Sequence, residues 1–109
     1  MANNHVEQII TQAIKSKREV RFTYDKPGDF AKGLREGYPH ALYYTKTTGK
    51  TKVDVYQTGG DTTNRTTIPG WKPFDVEYIR TIDIIDETFT IQQGYNSNSA
   101  RYINSIVKL

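Results

Sequence analysis

Basic and aromatic side chains are interleaved along the middle of the chain, where together they could hold a phosphate-bearing ligand. The residues that we select for this role are Arg35, Tyr44, Lys52, Tyr56, Trp71 and Lys72. Aromatic rings stack on bases while lysine and arginine attract phosphates, which is how small β-rich domains bind nucleotides and single-stranded nucleic acid. We therefore expect such a partner, with Arg35 and Lys52 on phosphates and the rings stacking or lining a pocket. The competing interpretation is that the rings belong to the core and only their polar tips reach the surface.

The charge distribution agrees with this expectation without deciding it. The chain has 109 residues and a net charge of +3. Residues 1–72 carry 12 basic and 7 acidic side chains, whereas residues 73–109 carry 3 basic and 5 acidic ones. A basic first part permits binding to phosphate-bearing partners, but a solvated surface explains the same imbalance.

No residue pattern typical of an enzyme occurs in the sequence. The chain has no cysteine, which excludes disulfides, thiolate catalysis and cysteine-ligated metal sites. His5 lies near the terminus and His40 has no acidic residue at the spacing of a helical metal site. Gly49-Lys50-Thr51 ends like a phosphate-binding loop, but the first glycine of that motif would fall at Tyr44. We predict a protein that is not an enzyme and has no catalytic residue, metal or cofactor.

One helix followed by about five short strands is predicted to position the binding residues. Helical spacing of apolar residues predicts an amphipathic helix over about residues 4–17; its stripe consists of Val6, Ile9, Ile10, Ala13 and Ile14. From Glu19 the period changes to two, which is typical of half-buried strands. The predicted strands cover about residues 19–24, 38–45, 51–57, 71–78 and 79–85. Pro39 favours an edge position for the second strand or a place at its start.

The connections leave little room for crossover helices, which argues against a parallel sheet. Phe30–Glu36 reads as irregular, and Thr58–Gly70 as a polar loop that closes over the pocket. Ala100–Leu109 combines helical spacing with β-branched residues, so either a helix or a strand remains open there. We predict one mainly β domain over residues 1–109: a small antiparallel barrel over about 19–92, the helix at its N-terminus and a C-terminal segment over about 95–109.

Several short motifs occur in an order that resembles the WYL domain, in particular its small stand-alone form. They are Ala13-Ile14-Lys15, Val20-Arg21-Phe22-Thr23-Tyr24, Arg35-Glu36-Gly37-Tyr38-Pro39, Val53–Gly60, Gly70–Ile79 and Glu87-Thr88-Phe89. The resemblance covers about residues 5–109. It implies an Sm-like, SH3-type five-stranded barrel with an N-terminal helix, and a regulatory domain that binds nucleotides or single-stranded nucleic acid in bacterial or phage proteins. It also implies that Arg35, four residues before Pro39, faces the ligand pocket.

The chain departs from the family pattern at positions that matter for binding. The tripeptide that names the family falls near Lys52-Val53-Asp54, and Asp75 and Tyr78 stand where the family has arginines. This loss of cations favours an alternative function, a protein-interaction or oligomerisation module with a degenerate pocket. In that case an exposed strand edge or Tyr102–Leu109 would dock a protein partner or a second copy.

The sequence predicts no association with a membrane. No apolar run approaches the about 20 residues of a membrane-spanning helix. The first five residues lack the basic and apolar regions of a secretory signal. We therefore expect a cytoplasmic protein.

Overall fold

The computed structural model describes residues 4–28, 33–60 and 68–109. These residues contain one α-helix, six strands and two short 3-10 turns. The elements in chain order are α1 (Asn4–Ser16), β1 (Arg18–Tyr24), β2 (Gly33–Thr45), β3 (Lys50–Gly60), β4 (Gly70–Asp75), a 3-10 turn (Val76–Tyr78), β5 (Ile79–Thr88), a second 3-10 turn (Ala100–Tyr102) and β6 (Ser105–Lys108).

The predicted amphipathic helix and the first strand are confirmed. Val6, Ile10, Ala13 and Ile14 are buried against the sheet, and Ile9 packs beside them. The helix ends at Ser16, because Lys17 adopts a left-handed backbone (φ 53°) and its N–H donates to the Ile14 carbonyl. In β1 the side chains of Val20, Phe22 and Tyr24 alternate into the core as predicted.

The strands form one antiparallel sheet in the order β4-β3-β2-β1-β5, with β6 added to β2. The long strand β2 makes this possible. Along one edge β2 pairs with β3. Along its other edge, the first part of β2 (Gly33–Gly37) pairs with β1 and a later part (Ala41–Tyr43) pairs with β6. Pro39 falls between these two pairings, next to a register shift, so its missing N–H costs no ladder bond there. The predicted edge position is therefore wrong, since β2 is the central strand.

The sheet is open and has six strands, which corrects the predicted closed five-stranded barrel. Closure would need a ladder between the two ends of the sheet, and the described residues of β4 and β5 form none. The 3-10 turn Val76–Tyr78 joins these strands directly and redirects the chain, so that β5 pairs with β1. The sixth strand comes from Ala100–Leu109, which contains both a 3-10 turn and a strand.

Two predicted irregular segments are shorter than expected. Gly33–Glu36 belongs to β2, and β3 continues to Gly60. Residues 30–32 of the first segment and 61–67 of the second lie outside the described residues, and the latter make up most of the predicted loop Thr58–Gly70. In the described part of the chain, no helix has both the length and the apolar character to span a membrane.

Both faces of the sheet are covered where β2, β3 and β4 lie side by side. Val53 and Val55 of β3 face the main core, under α1. Asp54 alternates with them and faces the other side, where Ala41, Tyr43 and Tyr102 form a second, smaller cluster. Residues 89–104, which we call the covering segment, pack on that second face. The space between the covering segment and the sheet contains the candidate site.

Candidate ligand cavity

A cavity of about 470 Å³ lies between the covering segment and strands β3 and β4. Its volume falls in the range of about 300–1,000 Å³ that is usual for small-molecule sites. The lining combines rings, cations and small polar groups: Asp54, Trp71, Lys72, Pro73, Gly94, Tyr95, Asn96, Ser99, Arg101 and Tyr102. Aromatic rings that stack on bases and cations that attract phosphates are what nucleotide binding requires, and this lining contains both.

Trp71 forms a rigid aromatic wall of the cavity. Its ring stacks on Tyr95 with centroids 6.1 Å apart and meets Tyr56 edge-on at 5.4 Å. The indole Nε1 donates a hydrogen bond of 2.9 Å to the carbonyl of Gln93. Gly94 (φ 96°) lies so close that a Cβ there would come within 2.9 Å of Nε1. Trp71 therefore holds the covering segment against the sheet as well as lining the cavity.

Asp54 is a buried carboxylate at the cavity that joins the sheet to the covering segment. It is 3% exposed and lies between the short neighbours Ala41 and Pro73 in the sheet register. Its oxygens accept hydrogen bonds from the Tyr43 hydroxyl at 2.8 Å and the Tyr102 hydroxyl at 2.6 Å. The Nη1 atom of Arg101 donates to the same carboxylate at 3.0 Å. Three donors thus satisfy the buried charge.

The electrostatics of this network keep every donor protonated. Burial, followed by the Asp54 charge and hydrogen bond, raises the pKa of Tyr43 far above its usual value. Burial and then the hydrogen bond to Asp54 raise the pKa of Tyr102 in the same direction. The hydrogen bond and charge of Asp54 also raise the pKa of Arg101. The network therefore has one anion and three permanent donors at neutral pH.

Lys72 also borders the cavity, but it lies opposite Val55 in the sheet register, which places its side chain on the face of the main core. Burial lowers its pKa, and the nearby charge of Arg35 lowers it further. Arg35 itself is 2% exposed, and its guanidinium lies 5.2 Å from the ring centre of Tyr24 and 5.3 Å from that of Phe74. Such cation–π contacts stabilise a desolvated guanidinium. Arg35 thus contributes positive potential near Lys72 from inside the main core.

Lys52 and Tyr44 lie toward the other end of the β2–β3 hairpin. Lys52 forms an ion pair of 3.4 Å with the buried Asp75, which also pairs with Lys26 at 3.0 Å. Burial raises the pKa of Asp75, but the hydrogen bonds and charges of these two lysines outweigh it, so that its pKa is lowered. Tyr44 is 42% exposed and lies opposite Thr51, close to the hairpin turn.

The structure therefore brings together two of the six residues selected from the sequence, Tyr56 and Trp71. Lys72 borders the cavity with its side chain on the main-core face, where the charge of Arg35 acts on it. Sequence reasoning missed the residues of the covering segment and the buried carboxylate, namely Asp54, Tyr95, Arg101 and Tyr102. One signal was available, since an acidic residue between two buried valines at 53 and 55 marks the face opposite the core. Within the described residues, no group of three or more histidine, aspartate or glutamate side chains is placed to hold a metal ion.

His40 packs behind the aromatic wall and is fully buried. Its ring contacts Trp71 at 4.6 Å and Tyr95 at 5.1 Å between centroids. The N–H of Gln92 donates to Nε2 at 3.1 Å, so Nδ1 carries the proton and donates to the Tyr38 carbonyl at 2.9 Å. This arrangement requires the neutral imidazole.

We expect the protein to lose stability as the pH falls from about 7.5 to about 5 because of His40. Burial lowers its pKa, although the Tyr38 carbonyl and the Asp54 charge oppose this. In the unfolded chain the imidazole of His40 takes up a proton near about pH 6.5. The stabilisation of the fold by neutral His40 is therefore complete above that pH and is lost as the pH falls below it. The measurement is the thermal unfolding midpoint against pH. His40→Gln should be less stable at neutral pH and show a flatter profile; an equally steep profile in this variant would contradict the assignment.

The comparisons with known proteins concern the fold. No protein-family model matches the chain, and no curated protein matches it. A solved structure, proteasome accessory factor B/C (PafBC) of Arthrobacter aurescens, is similar with a TM-score of 0.69 and 18% sequence identity. The match covers 86% of this chain and 14% of that chain. The open sheet with its N-terminal helix thus recurs as a small part of a much longer protein.

Proposed function

We propose that this chain is a WYL-like regulatory domain that binds a nucleotide or single-stranded nucleic acid in the cavity, without catalysis. The observation that carries this proposal is the convergence of Trp71, Tyr95 and Arg101 on one cavity of about 470 Å³. The fold shared with a part of PafBC supports the WYL-like part of the proposal. The sequence motifs that resemble the family support the regulatory role.

Rings and cations have separate tasks in this proposal. Tyr95 and Trp71 offer apolar surface against which a base packs, while Arg101 attracts phosphate. We place no phosphate contact at Lys52, because it pairs with Asp75 and does not line the cavity. Tyr44 and Lys52 do not line the cavity, and we assign them no role in ligand binding.

Trp71 offers a direct test because it is the single tryptophan of the chain and lines the cavity. Titration with nucleoside monophosphates and with a short oligothymidylate at low salt should give a saturable change in its fluorescence. Arg101→Ala should weaken binding and reduce the slope of log affinity against log salt by about one. The matched control is Lys46→Ala, an exposed lysine in the β2–β3 turn that should change neither quantity. Wild-type fluorescence that ignores every probe would contradict the proposal.

A second candidate function is a protein-interaction or oligomerisation module. The observation that favours it is the exposure of two large apolar side chains near the C-terminus, Ile103 at 85% and Ile106 at 52%. Ile106 lies on β6, a short strand with β2 as its neighbour in the sheet. A chain that forms dimers in analytical ultracentrifugation, and whose Trp71 fluorescence does not respond to the nucleic-acid probes, would favour this candidate.

A further inference from the structure

His40 is a buried imidazole that connects β2 to the covering segment. It is fully buried, and its ring packs against Trp71 and Tyr95, which line the cavity. Its Nε2 atom accepts a hydrogen bond of 3.1 Å from the backbone N–H of Gln92. The carbonyl of the next residue, Gln93, accepts the indole N–H of Trp71. Two neighbouring residues of the covering segment are thus held by His40 and by the ring beside it.

The geometry at His40 has no place for a second proton on the imidazole. Nδ1 already donates to the Tyr38 carbonyl at 2.9 Å, so an additional proton would bind to Nε2. There it would point at the backbone N–H of Gln92, which is itself a donor and has no lone pair to accept it. Both donors would then be unpaired in a place that is closed to water. The hydrogen bond between His40 and Gln92 therefore requires the neutral imidazole.

The groups that face His40 from the neighbouring elements favour its protonation only weakly. Among the described residues, Asp54 on β3 is the charged group that acts on His40, and its carboxylate is already shared by three donors. Burial raises the pKa of Tyr95 in the covering segment and keeps it neutral, and Trp71 on β4 does not titrate. Leu109 donates its backbone N–H to the His40 carbonyl. Burial outweighs the Asp54 charge and lowers the pKa of His40.

The part of the covering segment next to Gln92 forms one wall of the cavity, since residues 94–96 line it directly. The other end of the covering segment is attached separately, because Arg101 and Tyr102 donate to Asp54. Loss of the hydrogen bond at Gln92 would therefore open one side of the cavity while the other side stays attached to the sheet.

We propose that His40 is a pH-dependent switch, whose protonation releases the covering segment at Gln92, opens the cavity and lowers the affinity for the ligand. The release is independent of what the cavity binds, whereas the effect on affinity rests on the proposed function. Once released, the imidazole is exposed to water and takes up its proton near about pH 6.5. The released form should therefore become up to about tenfold more populated for each pH unit below that value.

The release is tested on the full chain without ligand, by hydrogen exchange measured with NMR. The probes are the backbone N–H of Gln92 and the indole N–H of Trp71, which is a single signal because the chain has one tryptophan. Their protection should fall by up to about tenfold between about pH 6 and about pH 5, after correction for the intrinsic exchange rate. His40→Gln should remove this fall. The matched control is His5→Gln, at an exposed position of α1, which should exchange like the wild type.

The backbone N–H of Phe22 serves as the reference for global unfolding, because β1 lies between β2 and β5. It should stay better protected than both probes at every pH. Equal protection of Phe22 and the probes would show that the covering segment opens only with the whole fold, which overturns the proposal. Titration of the His40 imidazole by NMR in the wild type decides the matter even where His40→Gln does not fold. A pKa of about 6.5 or above in the folded chain overturns the proposal as well.

The effect on affinity is measured by titrating Trp71 fluorescence with oligothymidylate, which carries the same charge across this pH range. If the ligand binds only the form with neutral His40, its affinity should be halved at the pH at which His40 is half protonated. A positive charge by itself would strengthen binding to phosphates, so the direction of the change separates the switch from simple electrostatics. An affinity that does not fall as His40 titrates overturns this part of the proposal. A wild-type chain that binds no probe contradicts the proposed function, while the exchange experiment still decides whether His40 releases the covering segment.

Discussion

Replacing Asp54 by alanine is expected to destabilise the protein by about 3 kcal/mol. The substitution removes the acceptor of three hydrogen bonds, from Tyr43, Tyr102 and Arg101. The two hydroxyls are buried and would lose their partner in a place that water reaches poorly. The covering segment would lose its main polar attachment to the sheet, and with it the wall of the cavity that carries Arg101.

The measurement is urea unfolding followed by the fluorescence of Trp71, which reports on the contact between the covering segment and β4. Asp83→Ala is the matched control, because Asp83 is an exposed aspartate of β5 and should change the free energy of unfolding by less than about 0.5 kcal/mol. A loss below about 1 kcal/mol in Asp54→Ala would show that water or rearranged side chains replace the network.

The elements that sequence reasoning located correctly are those whose pattern is local. The stripe from Val6 to Ile14 and the alternation of Val20, Phe22 and Tyr24 each depend on a handful of neighbouring residues and one period. The period alone determines which face of the helix or strand is buried, independently of contacts with distant parts of the chain. The antiparallel arrangement follows from the short connections, which leave no room for crossovers.

The closed barrel failed as a prediction because closure is not a local property. It depends on whether the strands at the two ends of the sheet meet, and the 3-10 turn Val76–Tyr78 sends β5 to β1 instead. The alternation of Trp71 to Tyr78 reads as one strand, although the pairing with β3 stops at Asp75. The edge position predicted from Pro39 failed for a related reason. A proline is tolerated in the central strand β2 because it falls between the part that pairs with β1 and the part that pairs with β6.

Only part of the candidate site could be predicted from the sequence, because local patterns place residues on strands but do not show which distant segments meet. Tyr56 and Trp71 lie directly opposite each other in neighbouring strands, so a correct strand assignment already places them together. Arg101 and Tyr95 reach the site from a segment with little regular structure, where no periodicity indicates which side chains turn inward. The charge of Asp75 appeared from the sequence to weaken a phosphate site. In the structure Lys26 and Lys52 neutralise it away from the cavity.

Replacing Phe22 by alanine is expected to cost about 4 kcal/mol, the largest effect of any substitution considered for this chain. Phe22 is 1% exposed and packs edge-on against Phe74 at 5.0 Å and Tyr24 at 6.4 Å between ring centres. The same two rings hold the guanidinium of Arg35, so a cavity here would also loosen a buried cation. The free energy of unfolding in urea measures the effect, and Leu34→Ala, at a 44% exposed position of β2, is the control.

The position of Phe22 in the sheet separates its stability effect from any effect on binding. Phe22 lies in the main core with Val53 and Val55, whereas Asp54 and the cavity lie on the opposite face of β3. Phe22→Ala that is still folded at low temperature should therefore bind thymidine 5′-monophosphate with the affinity of the wild type. A large loss of affinity in the folded variant would mean that the two faces of the sheet are coupled.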